Sequence, residues 1–159
     1  MREDDLIQSE KKYIEVQYDS VTQGYLREYC EQNGFDLSVR FDGSKQDPEN
    51  FDFHTTVWFT SSKHKLANQS ISFNATAQAK GFALLGPDKN ILVLEIESDD
   101  IQEIRDFYGK LHDMQDEWPD YRPHITVCYR WEGDIPDVDL PDMDLKTDRL
   151  NIKTQKKFE

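Results

Sequence analysis

Apolar positions recur along this chain at two periods, every second residue and every third or fourth, and the switches between them lay out the elements. From Lys11 to Tyr18, Tyr13, Glu15 and Gln17 alternate with Ile14, Val16 and Tyr18, which predicts a half-buried strand. Asp19 or Ser20 is suited to cap a helix that ends near Asn33-Gly34, where glycine fits the C′ position. A short strand is expected over Leu37 to Phe41, then a turn-rich loop from Asp42 to Asn50. Phe53 to Thr60 is dense in β-branched and aromatic residues and reads as a buried strand. Ser61 to Gln69 is polar, a loop or short helix, and Ile71 to Leu85 predicts one or two strands. Gly86 to Asn90 is a turn leading into the apolar run Ile91 to Ile96, which makes a hairpin. Ser98-Asp99-Asp100 caps a helix through His112, with Ile101, Ile104, Phe107, Tyr108 and Leu111 on one face. Trp118-Pro119-Asp120 ends that region, and Tyr121 to Trp131 reads as another strand. Asp134 to Leu145 alternates acidic and apolar residues around Pro136 and Pro141, and Asp148 to Thr154 suits a last edge strand. Strand, helix, strand, then strands, helix, strand: the order predicts an α+β protein of two lobes within one domain over residues 1–159.

Charge narrows the range of ligands. The chain has 19 Lys and Arg against 32 Asp and Glu, a formal net charge of -13, which repels a long polyanion and disfavours extended DNA or RNA. A small nucleotide in a cleft needs only a few local donors. Cys30 and Cys128 lack the density of a disulfide scaffold and read as buried thiols. No stretch approaches the 18 or so apolar residues of a membrane span and the N-terminus has no apolar export segment, so a cytoplasmic protein without a membrane partner is expected. Asn68-Gln69-Ser70 and Asn74-Ala75-Thr76 match the glycosylation sequon and, without an export signal, read as ordinary surface sequence.

Within the predicted strands one signature occurs twice, His54-Thr55-Thr56-Val57 and His124-Ile125-Thr126-Val127, seventy residues apart. Side chains two apart in a strand share a face, so each copy presents a histidine and a threonine together. Two of four histidines would carry a hydroxyl residue at that spacing by accident in about one chain in twenty. The shared Thr, the shared Val and the strand context of both copies argue further against accident. Paired strands of this kind gather two imidazoles and two hydroxyls, a set suited to acid-base chemistry on a phosphate ester without a metal. The candidate catalytic residues are therefore His54, Thr56, His124 and Thr126. His64 and His112 read as solvated residues, the latter near a helix C-terminus where a cation is favoured. Asp137, Asp139, Asp142 and Asp144 read as a solvated edge, since no His or Glu joins them at ligand spacing; no metal and no cofactor is expected. For base stacking, Tyr18 at the end of the first strand and Trp58, on the His54 face of a regular strand, are the candidate substrate-binding residues, and Arg122, two before His124, is placed to approach a phosphate.

These residues resemble the two-histidine (2H) phosphoesterase superfamily, defined by paired His-apolar-Ser/Thr-apolar motifs on strands of two pseudo-symmetric lobes flanking a cleft. The second copy fits fully; the first has Thr55 where an apolar residue is usual, on the side facing away from the cleft. The short acidic chain, the spacing and the WPDYRPHITVCYR segment are most similar to the phage anti-CBASS protein 1 family. That resemblance implies antiparallel sheets with helices on the outer faces, a cyclic oligonucleotide as partner and substrate, hydrolysis of cyclic di- or trinucleotide messengers to linear products, and action in the cytosol of an infected bacterium. The alternatives are a 2′,3′-cyclic phosphodiesterase of RNA ends, which calls for a basic rim, and a non-catalytic protein that sequesters a cyclic nucleotide. Oligomeric state is not legible here.

Overall fold

The computed structural model describes residues 10–60, 67–111 and 120–156. Strand β1 (Glu10–Tyr18) leads into helix α1 (Ser20–Gln32), a turn of 3-10 helix over Pro48–Asn50, and β2 (His54–Thr60). Then come β3 (Gln69–Ser72), β4 (Thr76–Leu85), β5 (Ile91–Glu97), helix α2 (Asp99–Leu111), β6 (His124–Cys128) and β7 (Leu145–Lys156). All pairings are antiparallel. The strands form one seven-stranded sheet in the order β2-β1-β7-β4-β5-β6, with β3 also paired to β7. The α+β class agrees with the sequence pattern and the antiparallel pairing with what the resemblance implies, but the strands of both halves belong to one sheet. The joint is short, Thr76 with Lys146 and Ala77 with Leu145.

β7 departs most from expectation. Read as an edge strand, it lies in the middle of the sheet, paired to β1 over its length and to β3 and β4 along its other side. Its mixed composition hides an alternation that a bulge at Asp148 shifts by one: Leu145 and Thr147 are buried before it and Leu150 and Ile152 after it, while Asn151 and Lys153 lie on the other face. Because β7 binds both halves, the two ends of the strand order, β2 and β6, come into contact, so the sheet rolls until its edges meet.

The caps follow local chemistry. Asp19 accepts from the Thr22 amide at 2.8 Å, and Gly34 at φ 74° lets the Phe35 amide reach back to the Cys30 carbonyl at 2.8 Å, a Schellman ending. Ser98 caps α2 by accepting from the Ile101 amide at 3.2 Å while donating to the Thr76 carbonyl. The buried face of α2 is Ile101, Arg105 and Tyr108, whereas Phe107 and Leu111 are 54% and 59% exposed. The helix is thus turned from its most apolar stripe, because Arg105 stacks between the Trp58 and Tyr121 rings. Leu37 to Phe41 is not a strand; Asp36 and Asp42 each accept from the amide two residues on and hold turns, leaving a single bridge from Val39 to Lys45. Leu37 and Val39 are nevertheless buried. Ile71 to Leu85 divides into β3 and β4. β6 is shorter than expected: Pro123 precedes it and Arg130, at φ 56°, follows. His64, His112 and most of the Ser61 to Gln69 stretch lie outside the described residues. No helix among the described residues is long and apolar enough to cross a membrane.

The core contains one hydroxyl pair that the sequence places wrongly. Tyr18 is buried, and its hydroxyl meets the Thr55 hydroxyl at 2.7 Å on the core face. Thr55, the departure from an apolar second motif position, therefore supplies the partner Tyr18 needs. Thr55→Val should cost about 1 to 3 kcal/mol by stranding that hydroxyl, and adding Tyr18→Phe should recover part of the loss. Denaturant unfolding of the two variants checks this; an additive double variant would refute the pairing.

Candidate active site

The two histidine strands are built on the same local plan. His54 pairs with Gln17 and Thr56 with Glu15 of β1; His124 pairs with Glu95 and Thr126 with Val93 of β5. In each case the register then shifts by one: Ile14 meets Trp58, and Leu92 meets Cys128. The unpaired residue is Val57 in one strand and Val127 in the other, the position directly after the threonine. A bulge at this point reverses the alternation beyond it.

That reversal decides which aromatic residues face the histidines. Trp58 pairs with the buried Ile14 and so points to the core face, away from His54 and Thr56. Its indole N–H donates to the Arg105 carbonyl at 2.9 Å. Neither Trp58 nor Tyr18 stands on the face that carries His54 and Thr56. Phe59, five residues after His54, pairs with Tyr13 instead, and their rings meet edge to face at 5.6 Å. Tyr129, five after His124, has its phenol pKa raised by burial, and the nearby Thr126 side chain opposes that rise. An aromatic residue at the fifth position after each histidine, FHTTVWF and PHITVCY, is the sequence signal that finds this pair.

Both imidazoles are oriented by the same device. His54 Nδ1 lies 3.2 Å from the Asp52 carbonyl and His124 Nδ1 lies 2.9 Å from the Arg122 carbonyl, each two residues back. A carbonyl only accepts, so the neutral rings carry their proton on Nδ1 and present Nε2 as a lone pair. The residues that lend the carbonyls are themselves tied to the strand opposite. Gln17 donates to the Asp52 carboxylate at 2.9 Å, and the Arg122 guanidinium binds Glu95 at 2.7 Å. Arg122 is therefore engaged with a carboxylate at the rim.

Around His54 the polar groups form a chain. Tyr13 Oη lies 3.2 Å from His54 Nε2 and 2.6 Å from Thr56 Oγ1. With the His54 ring neutral, Tyr13 donates to Nε2 and Thr56 donates to Tyr13. Burial pushes the Tyr13 phenol up to about 12, against the lowering effect of Thr56, so it stays a protonated donor near neutral pH. Burial also lowers the His124 pKa below the ordinary imidazole value; its bond to the Arg122 carbonyl and the Glu95 charge oppose this, while the charges of His54 and Arg122 add to it. The two histidines are thus close enough to sense one another.

One group of potential metal ligands stands here. Glu15, Asp52 and His54 bring one ligand atom each within 4.8 Å of one another, a carboxylate pair that the motif alone does not reveal. Glu15, however, is buried and binds Lys153 at 2.9 Å, and Asp52 holds Gln17, so both carboxylates already have partners. A cavity of about 570 Å³ lies elsewhere, on the α2 side of β2 against Trp58 and Arg105.

Residues 10–156 match the family described as Anti-CBASS protein Acb1. The chain belongs to the Acb1 anti-CBASS protein family. Membership sets it among proteins that counter CBASS signalling and implies an interaction with the cyclic oligonucleotides of that system. The fold is similar to the crystal structure of TT0787 of Thermus thermophilus, with a TM-score of 0.56, 14% identity, and coverage of 89% of this chain and 86% of that one. No curated protein matches the chain significantly.

The tautomers are directly observable. Long-range ¹H–¹⁵N spectra at a pH where the rings are neutral should show His54 and His124 protonated on Nδ1. An Nε2-protonated neutral form of either would overturn the orientation described.

Proposed function

We propose that this Acb1 family member is a metal-independent phosphodiesterase of the two-histidine type, which hydrolyses cyclic di- or trinucleotide messengers to linear products. The reading rests on one observation above all: two His-x-Thr strands with the same register, bulge and Nδ1 tether, brought together where the sheet edges meet. It treats β1-α1-β2 and β5-α2-β6 as pseudo-symmetric lobes flanking a cleft, with the scissile phosphate between the Nε2 atoms. Thr56 and Thr126 donate to the non-bridging oxygens, where charge grows as the nucleophile attacks.

Division of labour follows from environment. Burial favours neutral His124, which suits it to take the proton of the attacking hydroxyl on Nε2; His54, protonated on Nε2, then gives a proton to the departing oxygen. One P–O bond forms, one breaks, and the proton removed by one ring is matched by the proton supplied by the other. With a ribose 2′-hydroxyl as nucleophile, the attacking oxygen is already tethered near phosphorus.

Purified protein incubated with cyclic dinucleotides, cyclic trinucleotides and 2′,3′-cyclic mononucleotides, read by chromatography, tests the substrate. Linear products from a cyclic oligonucleotide are expected. Turnover of 2′,3′-cyclic ends alone would give the site to RNA-end chemistry, and tight binding without turnover would make the protein a sequestering one. His54→Ala and His124→Ala should each lower turnover by about a hundredfold or more. Thr56→Val and Thr126→Val should each raise the barrier by about 3 kcal/mol while Thr→Ser retains much of the rate. Activity is expected to persist in excess chelator; loss restored by a divalent ion would instead recruit Glu15, Asp52 and His54 as ligands.

The pH profile carries a sign. If His124 is the base, kcat/KM rises with pH through its pKa, so the acid limb should lie below the ordinary imidazole value of about 6.5. Glu95→Gln removes a charge that favours the imidazolium and should move that limb lower still. Movement upward would rule out His124 as the base.

A further inference from the structure

The bulge in β2 is held from the other half of the molecule. β2 is at one end of the strand order, so its outward backbone groups have no further strand to bond. The Thr56 carbonyl accepts from the Tyr121 hydroxyl at 2.6 Å, and the next carbonyl, Val57, accepts from the Arg105 guanidinium. The same guanidinium lies between two rings, 3.7 Å from the Trp58 centroid and 3.9 Å from the Tyr121 centroid. The Trp58 indole closes the set by donating to the Arg105 carbonyl at 2.9 Å. A guanidinium on a residue only 6% exposed is costly unless its charge and N–H groups are met. Two aromatic faces and a backbone carbonyl meet them here.

The second histidine strand has no polar counterpart to this arrangement among the described residues. Three residues before His124 stands Tyr121; three before His54 stands Phe51, which has no hydroxyl. The Val127 carbonyl, equivalent to that of Val57, is approached by the Cys30 thiol of α1 at 4.0 Å. One bulge is clamped by a charged, hydrogen-bonded sandwich and the other by a weak thiol donor within apolar packing.

We propose that Arg105 and Tyr121 are positioning residues for the first histidine strand: by clamping the Thr56 and Val57 carbonyls they set where the Thr56 hydroxyl and the His54 ring stand. The inference rests on the phosphodiesterase reading for its effect on rate, but its geometry is independent of it. Their hydrogen bonds to β2 go to its backbone carbonyls, beneath the Tyr13, Thr56 and His54 side-chain chain. Release of either contact lets the bulge relax, and the Tyr13 hydroxyl then loses its fixed distances to Thr56 and His54.

The test uses the full chain with Tyr121→Phe, which keeps the ring on Arg105 and removes only the hydroxyl, and Arg105→Lys, which keeps the charge and loses the planar stack. Tyr25→Phe is the control, since the Tyr25 hydroxyl donates to the Asp142 carboxylate at the surface. In ¹H–¹⁵N spectra of the imidazoles, folded Tyr121→Phe should shift the His54 signals and leave those of His124 in place. On a cyclic dinucleotide it should lower kcat about tenfold with KM within twofold and the pH optimum unmoved. Unmoved His54 signals in folded Tyr121→Phe would overturn the proposal whatever the rate, as would equal shifts at both histidines. If Arg105→Lys does not fold, Tyr121→Phe decides alone. If the wild type turns over no cyclic oligonucleotide, the functional reading fails while the spectra still judge the clamp.

Discussion

One extra residue in each of two strands governs the site. A regular strand would place the residue two after the threonine on the histidine face, and Trp58 and Cys128 would then stand beside the imidazoles. With Val57 and Val127 unpaired, both turn into the core, and Phe59 and Tyr129 come round to the polar face. The same shift brings Tyr13 opposite Phe59, where its hydroxyl reaches Thr56 and His54. Aromatic surface and hydroxyl donors reach the histidines by way of one irregularity, used twice.

The second constraint is the rolling of the sheet. His54 and His124 lie on strands at opposite ends of the hydrogen-bonded order, and those strands come into contact because β7 joins the two halves and the sheet curls until its edges touch. Apolar side chains such as Ile14, Leu94, Ile125 and Ile152 fill the concealed face. Burying them drives the curl, at about 25 cal/mol for each Å² withdrawn from water. The site therefore depends on core packing that it does not touch.

Although the two histidine strands share a backbone plan, their side-chain surroundings differ. His54 faces a tyrosine whose phenol pKa is pushed further above neutral pH by burial. His124 is desolvated by burial, with Glu95 and Arg122 pulling its charge in opposite senses. The duplicated framework therefore carries two imidazoles in unequal environments, the condition under which like groups can take different proton-transfer roles. The net charge of -13 sits on this framework without neutralising it; Glu15 and Glu95, the carboxylates paired directly with the motif residues, are each bound to a cation.

Much of this was legible in the chain itself. Strand and helix periods located β1, α1, β2, β5 and α2, because burial of one face writes a period into the sequence, and the repeated His-x-Thr marked the two strands that share one bulge and one Nδ1 contact. Motif spacing could also place Thr55 away from the histidines, since adjacent strand residues face opposite ways. What it could not reach were features that depend on partners distant in sequence. A bulge is invisible until a second strand is laid beside the first, so regular alternation alone puts Trp58 on the wrong face. Tyr18 looked available for stacking because its partner, the Thr55 hydroxyl, is 37 residues away. β7 looked like an edge because charged residues crowd its exposed face, and only the pairing on both sides makes it central. The buried Arg105 broke the apolar stripe of α2 for a reason supplied by Trp58 and Tyr121. Local periodicity records which face of an element is buried; which element covers it, and in what register, is settled only when all the buried faces are satisfied together.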